Sequence, residues 1–294
     1  MSKDIPALAA AGLTHSFGDR AALDDCSVTV PAGSVTALVG RNGAGKTTLL
    51  RAAAGLLTPH RGSLTVFGDQ VGEGTLPSIG YVGQQAPLYQ ALTVAQTLRL
   101  GGRLNPRWDA AYAQRLADAA DLPPAVKVGA LAPGQRTRLA LIMALGKRPG
   151  LLLLDEPLAP LDPVARTEAA GALMAEVAEH GTTVLLSSHV VADIEGVCDH
   201  VVVLADGRVR LAGDVDQALA AHHVAVGGAG DLAALDGAEI VEAQPDGPGF
   251  TALVRIAEPV LAGRLSWHRP TLEELLLGYL RTTGALPVRE VAVR

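Results

Sequence analysis

The run Gly40-Arg41-Asn42-Gly43-Ala44-Gly45-Lys46-Thr47-Thr48 constrains this chain more than any other feature. Two glycines separated by four residues and followed by Lys-Thr fit the pattern of a loop that cradles phosphate groups. Such a loop works only between a strand and a helix. Here Ser34 to Val39 alternates and is rich in Val and Leu, and Thr47 to Gly55 reads as a helix. Glycines let consecutive backbone N–H groups curl around a phosphate, and the helix N-terminus adds positive potential. Lys46 supplies a mobile cation for the outer phosphates, and Thr47 offers a hydroxyl to Mg²⁺. The plainer alternative is a glycine-rich turn with a surface lysine. The strand and helix flanks weigh against it, so Gly40, Asn42, Gly43, Ala44, Gly45, Lys46, Thr47 and Thr48 are expected to hold a nucleotide.

With 294 residues, 49% of them hydrophobic, the chain has room for one large domain and a small appendage. Its 24 basic and 30 acidic residues give a net charge of −6, which argues against a broad basic face and against nucleic acid as a partner. Arginine outnumbers lysine and alanine is abundant, which suggests a GC-rich bacterial genome. Cys26 and Cys198 stand far apart, so neither a disulfide framework nor a zinc site is indicated. Cys198 sits beside Asp199 and His200, but such a cysteine is more often packed against apolar neighbours than reactive. His222 and His223 read as a solvated pair, since no other ligand type stands at metal spacing around them. The N-terminal stretch Met1 to Pro6 lacks the apolar core of a signal peptide. The most apolar segments, Leu139 to Gly146, Leu151 to Leu154 and Thr182 to Leu186, are too short to span a bilayer. A membrane role would require a partner chain.

Ala7 to Val39 carries short strands with turns at Gly18-Asp19 and Pro31-Ala32-Gly33, a pattern of antiparallel β-structure. After the phosphate loop and its helix, Ser63 to Phe67 and Ser78 to Val82 are expected as strands. The periodicity turns helical from Thr93 to Arg148, with Ala, Leu and Arg at three- and four-residue spacing. Leu151 to Leu154, Thr183 to Ser187 and Val201 to Leu204 are continuous apolar runs, as buried parallel strands require. The expected fold class is therefore α/β: a P-loop core with an antiparallel β-subdomain and a helical insert over residues 93–148. The expected division is residues 1–215 and 216–294. In the second part, β-like stretches at His223 to Val226, Glu239 to Glu242 and Thr251 to Ile256 precede a helix opened by Thr271 and Glu274 at capping-box spacing, giving a small α+β appendage.

Leu151 to Leu154 ends in Asp155-Glu156, and a parallel sheet presents its ligands at the carboxyl ends of its strands. An aspartate there can hold Mg²⁺ opposite Thr47, while the next carboxylate can polarise a water for attack on a γ-phosphate. Alone, such a pair is a common turn with solvated charges. The phosphate loop upstream favours the chemical reading.

The ordered set of motifs, over roughly residues 5–213, resembles the nucleotide-binding subunit of an ABC transporter. Ile79 to Gln84 is similar to that family's glutamine loop, which implies that Gln84 reaches Mg²⁺ or the attacking water and touches the membrane subunit. Leu158-Ala159-Pro160-Leu161-Asp162 is similar to the loop that crosses the dimer interface, with Asp162 its aspartate. Thr183 to His189 resembles the switch-histidine strand, implying a contact of His189 with the γ-phosphate. Read without the family, His189 is a histidine after a strand. Phe17 stands where the family carries an aromatic that stacks on adenine, although a core Phe is the competing account.

One motif departs from the family. Leu131-Ala132-Pro133-Gly134-Gln135 aligns with its Leu-Ser-Gly-Gly-Gln signature, whose serine hydroxyl and following N–H groups clamp ATP held by the opposite subunit. Ala132 removes one donor, a change worth roughly 1.5 to 3 kcal/mol for a bond to a charged group. Pro133 removes an N–H and stiffens the loop, whereas Gly134 keeps its own.

The resemblance implies ATP and Mg²⁺ as cofactors and an ATPase with Glu156 as general base. It also implies a homodimer or heterodimer of such chains, and an integral-membrane transporter subunit as partner at the cytoplasmic face of the plasma membrane. Leu104 to Asp109 and Gly134 to Leu139 are similar to the branch serving ABC-2 type membrane subunits, as is the extension through Thr271 to Leu276. That branch is associated with export. The alternatives are a soluble ABC-type ATPase and a weakly hydrolysing regulatory subunit.

Overall fold

The computed structural model describes residues 5–85, 87–191, 194–235, 237–256 and 265–282. The chain opens with a long antiparallel hairpin, β1 (Leu8–Phe17) and β2 (Arg20–Val30), turned at Gly18 where φ is positive. β3 (Val35–Val39) is buried along its whole length and leads through the glycine loop into α1 (Lys46–Ala53). β4 (Arg61–Val66) returns to the other edge of β1 and β5 (Asp69–Gln70) follows it, giving an antiparallel sheet of order β2-β1-β4-β5.

After β6 (Ile79–Val82) come the helices of the insert: α2 (Val94–Leu104), α3 (Ala110–Ala119) and α4 (Pro133–Leu145). Polar caps set their starts. Thr93 and Gln96 form a reciprocal capping box on α2, and Asp109 accepts the Tyr112 N–H at the head of α3. Trp108 fills the space that side chains on Gly101 and Gly146 would need, so its indole joins the end of α2 to the end of α4. A buried polar knot ties the insert to the rest. The Tyr112 hydroxyl bonds Glu176, and the Arg148 guanidinium lies 3.4 Å from the Tyr112 ring centroid.

The core sheet continues with β7 (Leu151–Asp155), α5 (Pro163–His180), β8 (Thr183–Ser188), β9 (His200–Ala205) and β10 (Arg208–Asp214), in the order β10-β9-β3-β8-β7-β6. Every pairing is parallel except the β9–β10 edge. β3, β7 and β8 are buried throughout, which accounts for their unbroken apolar runs. The expected core strands and the phosphate-loop helix fall where the sequence put them, with ends shifted by a residue or two. β1 and β2, at 10 and 11 residues, are longer than the short strands expected there, and the stretch expected at Glu239 to Glu242 runs on to Asp246.

α6 (Val215–Ala220), β11 (His222–Gly228), β12 (Glu239–Asp246), β13 (Gly249–Arg255), β14 (Ser266–His268) and α7 (Leu272–Arg281) form the C-terminal unit, a sheet of order β12-β13-β11-β14. Thr271 and Glu274 make the expected capping box on α7. Leu275, Leu276 and Tyr279 share one hydrophobic cluster with Val201, Val203 and Leu211 of the core. The expectation of a solvated pair at His222 and His223 is corrected: they are 0% and 6% exposed. β11 is paired on both edges, by β13 and β14, and α6 and α7 pack over the face that carries His222. His222 Nδ1 lies 2.6 Å from the Ala218 carbonyl and its Nε2 lies 2.8 Å from the Tyr279 hydroxyl, while His223 meets the Trp267 ring. Cys26 is buried and Cys198 packs partly buried against the core; burial pushes each thiol up to about 12.

Candidate nucleotide site

The loop between β3 and α1 takes its shape from its glycines. Gly45 has φ 110°, and a Cβ there would collide with the Ala22 carbonyl. The loop is also stitched to the hairpin that follows β9, since the Gly207 N–H donates to the Ala44 carbonyl at 3.0 Å. Lys46 opens α1 and is 5% exposed. Its ammonium donates to the Gly40 carbonyl at 2.6 Å and the Arg41 carbonyl at 3.4 Å, and stands 3.6 Å from Glu156 Oε1. Asn42, Gly43 and Thr47 are exposed, whereas Ala44 and Thr48 are buried. The mouth of the loop is thus open to a ligand.

Parallel register brings the other groups to the same edge. Val39 pairs with Ser188, and Asp155 with Ser187, so β3, β7 and β8 end together. Ser187 Oγ donates to Asp155 Oδ1 at 2.9 Å and accepts the Glu156 N–H at 2.9 Å. One hydroxyl therefore sets the places of both carboxylates. Glu156 also takes a left-handed backbone, φ 50°, uncommon for a residue with a Cβ. Its carboxylate lies 3.2 Å from His189 Nδ1 and accepts from Gln84 Nε2 at 3.5 Å. Asp155 is 1% exposed, and its Oδ2 has no hydrogen-bond partner among the described residues. A buried carboxylate oxygen without a donor fits a hard cation, which takes oxygen ligands.

Lys46, Gln84, Asp155, Glu156 and His189 thus form one cluster. Phe17 stands at the tip of the first hairpin, 54% exposed, and its register partner Arg20 reaches the Gly43 carbonyl at 3.5 Å. The remaining expected residues form a second patch. Ala132 precedes α4 with no side-chain cap, and Gln135 Oε1 accepts its N–H at 3.1 Å. A Cβ on Gly134 would lie 3.4 Å from the Leu161 side chain, and Asp162 caps α5 by accepting the Ala165 N–H at 3.0 Å. Pro133 occupies the first turn of α4, where its missing N–H has no intrahelical partner to lose. Among the described residues no hydrogen bond or ion pair joins Ala132, Gly134, Gln135 or Asp162 to Lys46 or Glu156. Sequence reasoning missed Ser187 and Arg20. The only trace of Ser187 is a polar residue ending an apolar strand.

A groove of about 500 Å³ adjoins the cluster at Gly83 and runs between the core and the insert, lined by Leu56, Leu76, Leu104 and Lys147. Lys147 donates to the Leu76 and Ile79 carbonyls at 3.2 and 2.7 Å, and burial lowers its pKa. Among the described residues no helix is long and apolar enough to cross a membrane.

This fold and edge define a P-loop nucleotide triphosphatase. Residues 23–159 match the family described as ABC transporter. The chain is 31% identical over 207 residues to the ABC transporter ATP-binding protein YtrB of Bacillus subtilis (strain 168), across 70% of this chain and 71% of that protein. It is 40% identical over 214 residues to the aliphatic sulfonates import ATP-binding protein SsuB 2 of Pseudomonas aeruginosa (strain UCBPP-PA14), across 72% and 76%. Among solved structures, the ATP binding subunit of an ABC transporter superposes with a TM-score of 0.66 at 29% identity, over 72% of this chain and 91% of the other. The chain cbiO1 of Clostridium perfringens, part of the ABC transporter complex cbiONQ, gives 0.62 at 27%, over 72% and 89%. The chain belongs to the ATP-binding subunits of ABC transporters. It is an ABC-type ATPase that binds ATP and powers a transporter.

Proposed function

We propose that Glu156 is the general base for ATP hydrolysis in an assembly of two such cassettes, and that the assembly drives export through an ABC-2 type membrane subunit. The observation that carries the reading is the convergence on one carboxylate: His189, Gln84 and Lys46 all stand within 3.6 Å of Glu156. The loop Gly40 to Thr48 wraps the phosphates with backbone N–H groups, and Lys46 moves from its carbonyl and carboxylate contacts onto the outer phosphates. Glu156 takes the proton of the attacking water while His189 and Gln84 orient that water and the γ-phosphate. Asp155, Thr47 and Gln84 are the residues that would hold Mg²⁺, which neutralises charge on the phosphate oxygens when bound. The orphaned Oδ2 of Asp155 supports that assignment. Phe17 is read as the platform for adenine, and Ala132, Gly134, Gln135 and Asp162 as the face offered to ATP on the opposite subunit.

Export rests on the insert segment Leu104 to Asp109, on Gly134 to Leu139 and on the appended unit after residue 215. Identity to an import ATP-binding protein spans 214 residues of shared cassette and supports the motor rather than a direction. Residues 1–215 and 216–294 are proposed as ATPase domain and accessory domain, and the groove beside Gly83 as the face for the membrane subunit. Co-purification with a multi-helix membrane protein encoded in a neighbouring reading frame tests the partner. Deleting the gene tests the direction: an exporter leaves its cargo retained inside the cell, and a loss of uptake contradicts export.

A further inference from the structure

At the tip of the first hairpin Phe17 and His15 are in ring contact, and His15 in turn meets His60 from the turn before β4. His15 is 8% exposed and its ring is stacked on that of His60, with centroids 4.3 Å apart and planes 30° apart. Phe17 meets the same imidazole edge-on, at 4.8 Å and 72°. Two hydrogen bonds, one of them to the His60 ring, clamp the His60 turn to β1. The His60 N–H donates to the Thr14 carbonyl at 2.8 Å, and the Ser16 N–H to His60 Nδ1 at 3.4 Å. The opposite strand fastens the tip to the phosphate loop through Arg20 and Gly43.

An exposed aromatic side chain on a strand end has several staggered positions available to it. A stacking platform needs one. Edge-to-face contact with a buried ring holds Phe17 in a defined plane. His15 Nδ1 makes no hydrogen bond among the described residues, so the ring itself is what this position supplies. We propose that His15, braced by His60, is a positioning residue for the nucleotide base and sets the plane of Phe17. The inference rests on the reading of Phe17 as the adenine platform.

The test is equilibrium binding of ATP, and of inorganic tripolyphosphate, to the full chain and its variants. His15→Ala should weaken ATP about three- to tenfold while leaving tripolyphosphate within about twofold, since the platform touches only the base. KM for ATP should rise by the same factor, with kcat at saturating ATP within about twofold. His15→Phe keeps the edge contact and should restore affinity. In a Phe17→Ala background His15→Ala should add nothing. His60→Ala, which removes an exposed ring, should give a smaller loss in the same direction and serves if His15→Ala folds poorly. Equal losses for ATP and tripolyphosphate, or a full His15→Ala effect without Phe17, would overturn the proposal. If Phe17→Ala leaves ATP affinity unchanged, the platform reading itself fails. If Phe17→Ala weakens ATP and neither histidine variant does, only the inference fails.

Discussion

His189 Nδ1 stands 3.2 Å from Glu156 Oε2, so the histidine and the carboxylate occupy the same edge of the core sheet as a touching pair. His189 is 44% exposed and Glu156 only 10%, which puts the histidine at the rim and the carboxylate inside. In the proposed mechanism His189 acts on the attacking water and the reacting phosphate rather than on nucleotide affinity. His189→Ala should therefore lower kcat for ATP by about a hundredfold, the scale of a lost proton-handling or orienting group. Its ATP affinity should stay within a few-fold. Steady-state hydrolysis beside equilibrium ATP binding makes the comparison.

Ser187 links the two carboxylates through a single hydroxyl. Ser187→Ala leaves a buried Asp155 oxygen and the Glu156 N–H unpaired, which costs about 1 to 3 kcal/mol. The variant should lose stability by that amount and kcat by at least about tenfold. Urea denaturation and hydrolysis rates are the measurements, and Ser187→Thr, which keeps the hydroxyl, should lie between the two.

Ala132 occupies the N-cap of α4 while Gln135 already folds back onto its N–H. Half of a capping box is in place. Ala132→Ser completes it, which should raise stability by about 0.5 to 2 kcal/mol and shift thermal unfolding upward. In the assembled transporter the same hydroxyl should also raise hydrolysis, by up to about ten- to a hundredfold if it reaches ATP across the interface. Stabilisation without faster turnover would separate the cap from the clamp.

Where the chemistry depends on local spacing, the sequence displayed it. Gly40 to Thr48 is read directly because consecutive backbone groups form the cradle, and Asp155-Glu156 because two acids end an apolar run. His189 needed more, since its meaning comes from the strand beside it. Ser187 was out of reach for the same reason: the β7–β8 register that brings it to Asp155 joins residues 32 apart. Glu176 reads as an ordinary helix-face acid, yet it is 3% exposed beneath Tyr112 and Arg148. His222 and His223 misled for a related cause. Two adjacent polar residues suggest solvent, and only the packing of Ala218 and Tyr279 against His222 and of Trp267 against His223 shows that both are covered.

Burial holds the His222 imidazole below its ordinary value of 6.5, with the Ala218 carbonyl opposing that shift, and burial lowers His223 likewise. The unfolded chain therefore binds more protons than the folded one below that value. Stability from these histidines is present above 6.5 and declines as pH falls beneath it. The denaturation midpoint should drop between about pH 7.5 and about pH 5.5, and His222→Gln should reduce that drop. An unchanged drop in the variant would assign the acid sensitivity elsewhere.

The most direct measurement for the account as a whole is ATP turnover by Glu156→Gln together with its membrane partner, set against ATP binding by the same protein. The substitution keeps the shape of the side chain and removes its capacity to take a proton. Hydrolysis should fall by at least about a hundredfold while ATP still binds, with affinity within a few-fold of the wild type. Turnover near the wild-type rate would contradict the assignment of Glu156 as the base.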